Sequence, residues 1–178
     1  MNENPEDILS FWFAPGMDEL WYANDAGFDA RIRDRFMTTY EAARDGRLDT
    51  WRRHPRSLLA LIIVLDQFPR NMFRCDARAF ATDRLALALT KQGIGEGIDR
   101  ALTGAQLDFF YMPLMHSEDL EDHRLLAKLG YDDHRYAREH RETIERFGRF
   151  PHRNIVLGRE NTPEEARFLA RDTAGSSG

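Results

Sequence analysis

Residues 55–74 read PRSLLALIIVLDQFPRNMFR, and the fold class turns on the first half of that stretch. LLALIIVL, 58–65, is apolar without a break, a length that suits a buried strand as well as a buried helix. Pro55, Arg56 and Ser57 ahead of it, together with helical periodicity on both sides, decide for a helix. A helix apolar all round belongs at the centre of a core.

Working outward, Asn4 reads as an N-cap, with Pro5 at the first helical position and a helix through Phe13, ended by Ala14-Pro15-Gly16. Between 25 and 45, Phe28, Ile32, Phe36, Tyr40 and Ala43 form one helical face, closed by Gly46. Further helices are expected over 76–91 (stopped by Gly93), 104–115, 118–129 and 134–147, the last two stopped by Gly130 and Gly148. Thr162-Pro163-Glu164-Glu165 is a capping box that opens a helix over 163–170. No alternating strand pattern with hairpin turns appears, so the expected fold is all-α. Short connections predict antiparallel helix pairs, stacked as in bundles or solenoids. A single helical domain over 1–172 and a disordered tail over 173–178 complete this reading.

Composition narrows the function classes. The chain has 178 residues, a formal net charge of −5 and one cysteine, Cys75. An acidic chain disfavours nucleic acid as partner, and a lone cysteine excludes an intrachain disulfide or a cysteine-based zinc site. The amino terminus lacks the pattern of an export signal, and the longest apolar run is far too short to span a membrane. The expected setting is cytoplasmic. No phosphate-binding glycine loop, dinucleotide fingerprint or nucleophile elbow is present, and no cofactor is expected.

The candidate site lies in two phrases that share letters, LDQFPRNMFR (65–74) and FGRFPHRNIVLGR (147–159). Proline disfavours helix in the preceding residue, which puts Phe68 and Phe150 at helix ends and makes Asn71 and Asn154 caps for the turns that follow. The arginines need another explanation. Asp66, near the negative end of a buried helix, needs a charged partner, and Arg70 is the near one. Arg146, Arg149, His152, Arg153 and Arg159 crowd the second phrase, where guanidinium groups suit carboxylate or phosphate. In YMPLMHSEDLEDH (111–123), Pro113 ends or kinks a helix and Ser117 caps the next, which leaves His116 over. His116, Asp119 and His123 could share a face, but no metalloprotease or di-iron pattern accompanies them, and no metal is expected. His140 interrupts an apolar stripe and reads as a core histidine. Phe11, Trp12, Phe13, Trp21, Tyr22 and Trp51 read as packing, although a homodimer face would use the same residues.

ILSFWF, LLALIIVLDQFPRNMFR, AFATD, FFYMPLMHSEDLEDH and RFGRFPHRNIVLGRENTPEEARFL occur in that order from Ile8 to Leu169. In these motifs the chain resembles the bacterial family catalogued as domain of unknown function 924. The resemblance implies a TPR-like superhelix and no particular activity. It points to Asp66, Gln67, Arg70 and Asn71, to His116, Ser117 and Glu118, and to Arg149, His152, Arg153 and Asn154. Two readings follow. One is a binding module for a small acidic ligand or an acidic chain end, held by Arg70, Arg149, His152 and Arg153. The other is a hydrolase or lyase with His116 as general base, oriented by Glu118 or Asp66. A third option is a purely internal polar network that pins the helix corners.

Overall fold

A computed structural model describes the backbone of residues 4–175 and the side chains of residues 4–171. Among these the protein is helical, with no strand. The helices are α1 (Pro5–Trp12), α2 (Ala26–Arg44), α3 (Pro55–Met72), α4 (Asp83–Gly95), α5 (Ala105–Met115), α6 (Leu120–Leu126), α7 (Arg135–Phe147) and α8 (Pro163–Gly175). Short 3₁₀ turns, including Ala77–Phe80 and Pro151–Arg153, join them. The chain packs into two compact units, Met1–Arg74 with Arg78–Pro113, and Cys75–Ala77 with Leu114–Gly178.

The first unit is built on α3, whose residues 58–65 are all buried. It packs against α1, α2 and α4. Trp12, Phe28 and Phe68 are completely buried and interlock: Trp12 lies 5.7 Å from Phe68 and 6.0 Å from Phe28 between ring centroids, in the tilted and offset geometries aromatic pairs prefer. Phe11, Phe13 and Trp21 join this cluster and Trp51 is buried elsewhere in the unit, while Tyr22 is exposed instead of packed.

Pro69 does not end α3. The helix runs on through Met72, so Phe68 is interior. A proline inside a helix lacks the N–H that would bond the carbonyl four residues earlier. That carbonyl belongs to Leu65, and the buried Thr82 hydroxyl donates to it at 2.5 Å. The orphan is satisfied from outside the helix, which removes part of the penalty. At the C-terminus Arg33 donates to the Met72 carbonyl at 2.9 Å. Asn71, expected as a cap, is also interior to α3.

The segment expected as one helix over 76–91 is a 3₁₀ turn followed by α4, which passes through Gly93 to Gly95. Gly93 is a point of close approach: a Cβ there would lie 2.6 Å from the Phe110 ring and 2.9 Å from Leu58.

In the second unit, α6 packs on α7, and α8 packs on the turn Pro151–Arg153. The cap of α6 is Asp119, which accepts from the Glu121 N–H at 3.0 Å. Ser117, the expected cap, accepts from the Asp119 N–H and donates to Asp122 at 2.7 Å. Gly148 stops α7 as expected, with φ of 67° and its N–H on the Ile144 carbonyl at 2.8 Å. The capping box of α8 closes both ways: Glu165 N–H donates to Thr162 Oγ1 at 3.2 Å, and Thr162 N–H donates to Glu165 at 2.7 Å. The helix then continues to Gly175, five residues past the expected end, so 173–175 are helical; 176–178 lie outside the described residues.

Candidate functional site

The first Phe-Pro phrase builds a polar network inside the first unit. Arg70 donates to Asp83 through both Nη atoms at 2.9 and 3.0 Å, reaches Asp66 at 3.4 Å and also donates to the Asp66 carbonyl. Asp66 is almost completely buried and accepts from Gln67 at 2.6 Å. The Asn71 amide donates to Asp29 at 2.8 Å, and Arg74 grips the same carboxylate at 2.6 and 2.8 Å. Burial pushes the Asp29 carboxyl up, but the bonds from Arg74 and Asn71 outweigh it and hold the group below its usual range. The expected Asp66–Arg70 pair is present.

His116, Glu118, Arg149, His152, Arg153 and Asn154 belong to the second unit. Beyond Gly148 the chain is extended at Phe150, whose buried ring becomes the floor of a cluster. His140, His152 and His123 surround it at 5.3, 5.5 and 6.3 Å between centroids, and the buried Arg153 guanidinium lies 4.6 Å from it. Glu118 fastens this corner. It accepts from the Phe150 N–H at 2.8 Å and from Arg159 at 2.7 and 2.9 Å. Burial opposes its ionisation, but the Arg159 and Phe150 bonds prevail, and its carboxyl is held low. Arg159 also donates to Asn154 Oδ1 at 2.8 Å, and the Asn154 amide donates to Asn161 at 2.7 Å, so Asn154 ties a loop together and caps no helix. Arg149 makes a bidentate pair with the buried Glu165 at 2.6 and 2.8 Å and a third bond to the Glu160 carbonyl. That pairing, with the bonds from Thr162, brings the Glu165 carboxyl down to about 2.

The imidazoles are held neutral. His123 is buried and its Nε2 faces the Ser117 carbonyl at 2.8 Å. A carbonyl only accepts, so Nε2 carries the proton. Ser117, Asp122 and His123 are therefore no nucleophilic triad: the hydroxyl bonds the carboxylate and the imidazole bonds the backbone. His140 Nδ1 donates in the same way to the Tyr136 carbonyl at 2.8 Å, which leaves Nε2 as an acceptor. Desolvation lowers both rings. His152, an exposed residue, is brought down to about 4 by desolvation among its neighbours and then by the charges of Arg153 and His140.

Two of these imidazoles line a groove of about 440 Å³ along α7. Phe147, Phe150 and Phe168 supply its apolar surface, and Glu139, Glu142, Thr143 and Arg146 its polar edge. Of the eleven residues to which the family motifs point, His152 alone lines the groove, joined there by Arg146 of the second phrase; Arg149, Glu118 and Asn154 brace the corner next to it. His140 was hidden from sequence reasoning by its apolar stripe, and Phe168 by the separation of α7 from α8. The signal that could have found His140 is the row His140, Thr143, Phe147 at helical spacing; no local signal points to Phe168. Among the described residues no group of three or more histidine, cysteine, aspartate or glutamate side chains is placed to hold a metal ion.

Fold and groove together define an all-helical protein with an open cleft walled by aromatic, imidazole and guanidinium groups. No helix among the described residues is long and apolar enough to cross a membrane. The chain belongs to the family described as bacterial protein of unknown function (DUF924), whose model matches residues 8–173. It is similar to a solved protein of unknown function from Agrobacterium tumefaciens, at 43% identity and a TM-score of 0.87, over 93% of this chain and 96% of that one. No curated protein matches it.

Proposed function

We propose that this protein is a binding module for a small acidic ligand, seated in the groove along α7. The observation that carries this reading is the convergence of His140, His152 and Arg146 on a floor of phenylalanine rings. A few polar groups on an apolar concavity of roughly 300–1,000 Å³ are the usual form of a small-molecule site. Arg146 is paired with Glu164 at 2.8 Å, but both side chains are half exposed. An exposed pair is worth little, so a ligand carboxylate can replace Glu164. Catalysis by His116 has less support, since both Glu118 oxygens accept from Arg159 and the Phe150 N–H.

An anion beside His152 favours the imidazolium, so binding takes up a proton, and affinity rises as pH falls from 7 toward the ring's own range near 4. Calorimetry with benzoate on the full chain tests the reading. Expected are saturable binding that tightens between pH 7 and pH 5, and weakening in His152→Asn and Arg146→Gln. Absence of saturable benzoate binding at both pH values overturns it.

A further inference from the structure

We propose that the acidic group of this ligand is a phosphate monoester, taken by Arg146, Arg167 and Arg171 in the cleft next to the α7 groove. The inference rests on the groove reading and narrows it to one ligand class.

The second cleft holds about 560 Å³ and is lined by Arg146, Arg167 and Arg171, with Thr162, Pro163, Glu164 and Phe168. Arg146 and Phe168 line both cavities, so the two are adjoining parts of one surface. The rings of Phe147 and Phe168 stand 5.1 Å apart, with the Arg146 guanidinium 4.7 Å from one and 5.9 Å from the other. An aromatic or aliphatic body lying against those rings in the groove would end beside the arginines.

Charge selects the end group. Among the described residues three guanidiniums face one carboxylate, Glu164, leaving two positive charges in a chain whose net charge is −5. A phosphate monoester carries roughly −1.5 to −2 at neutral pH and matches that excess, whereas a carboxylate neutralises half of it. The arginines of α7, namely Arg135, Arg138, Arg141 and Arg146, each reach a carboxylate. Arg167 and Arg171, one turn apart on α8, reach none among the described residues. Two like charges at that spacing repel each other, and a bound dianion converts the repulsion into paired, bidentate contacts. The α8 capping box already occupies the Thr162 and Glu165 N–H groups, so side chains, and not the helix terminus, supply the donors.

The test is calorimetry on the full chain with phenyl phosphate and benzoate at one ionic strength and pH 7. Phenyl phosphate should bind at least about tenfold more tightly, the effect of added charge-assisted hydrogen bonds. The double variant Arg167→Gln/Arg171→Gln, at two exposed positions, should fold normally by circular dichroism and lose that preference, binding phenyl phosphate no more tightly than benzoate. Equal affinities, or a preference that survives in the double variant, overturn the inference while benzoate binding leaves the groove reading standing. Failure of both ligands, at pH 7 and again at pH 5, removes both. In a separate arm, co-sedimentation with phosphatidic acid vesicles without any response to phenyl phosphate would assign the arginines to a lipid surface and overturn the small-molecule proposal.

Discussion

Pro69 withdraws a donor from α3 and Thr82 returns one to Leu65, an exchange between residues thirteen positions apart that depends on a single hydroxyl. Thr82→Val keeps the shape and removes the donor, leaving a buried carbonyl unpaired. The expected loss is about 1–3 kcal/mol by urea denaturation, and a variant as stable as wild type refutes this account of the proline. Arg149 makes the complementary case for charge. Arg149→Ala strips a buried carboxylate of its bidentate partner, and thermal unfolding at pH 7 should move down by several degrees. A purely ligand-facing arginine would leave it unchanged. Glu165 is depressed in the fold to about 2 from an ordinary 4.5, so its contribution is complete above pH 4.5 and fades as pH falls toward 2. The gap between variant and wild type should close over that interval. The need of Asp66 for a partner was legible, because Arg70 is one turn away. The partners of Asn71 and Asn154 were not, since both lie outside the local window that a capping rule reads.

At the scale of the element, caps and stops were mostly visible, and the exceptions have tertiary causes. Asn4, Pro5, Pro55, Gly148 and the Thr162–Glu165 box act as local rules predict. Thr162→Ala should destabilise by about 0.5–2 kcal/mol in chemical denaturation, since the hydroxyl caps one end of α8. Gly93 looked like a stop and is a packing position. Gly93→Ala improves helix propensity by roughly 1 kcal/mol, but its methyl meets Phe110 and Leu58 inside contact distance. Overpacking of about 1–3 kcal/mol should win, and a rise in melting temperature would show that the neighbours yield. Pro113, like Pro69, lies inside a helix where its local signal argues for an end.

For the whole molecule, acid stability should fall in two stages. His123, His140 and His152 are all depressed below the ordinary 6.5, His152 to about 4. Their neutral forms favour the fold above pH 6.5, and that preference is lost as pH falls through their folded values. Asp29, Glu118 and Glu165 are depressed carboxylates, whose contribution disappears below their ordinary range. Unfolding midpoints in urea should therefore decline between pH 6.5 and 4 before the steeper carboxylate stage. A midpoint unchanged from pH 7 to 5 would contradict the imidazole cluster. Chain length indicates how much core can form, but not that packing gathers it into two units, because the grouping depends on contacts distant in sequence.

By itself the sequence determined the all-helical class, the central buried helix, most helix ends and the Asp66–Arg70 pair. Each of these follows from side chains within a turn or two of one another, where periodicity, capping and Coulomb attraction are local. Tertiary structure alone decided which arginines were committed to Glu118, Asp83 and Glu165, and which histidines met around Phe150. It also set His140 and Phe168 along one groove, with Arg167 and Arg171 beside it. Those outcomes depend on the directions in which packed helices aim their side chains, and no spacing along the chain encodes that.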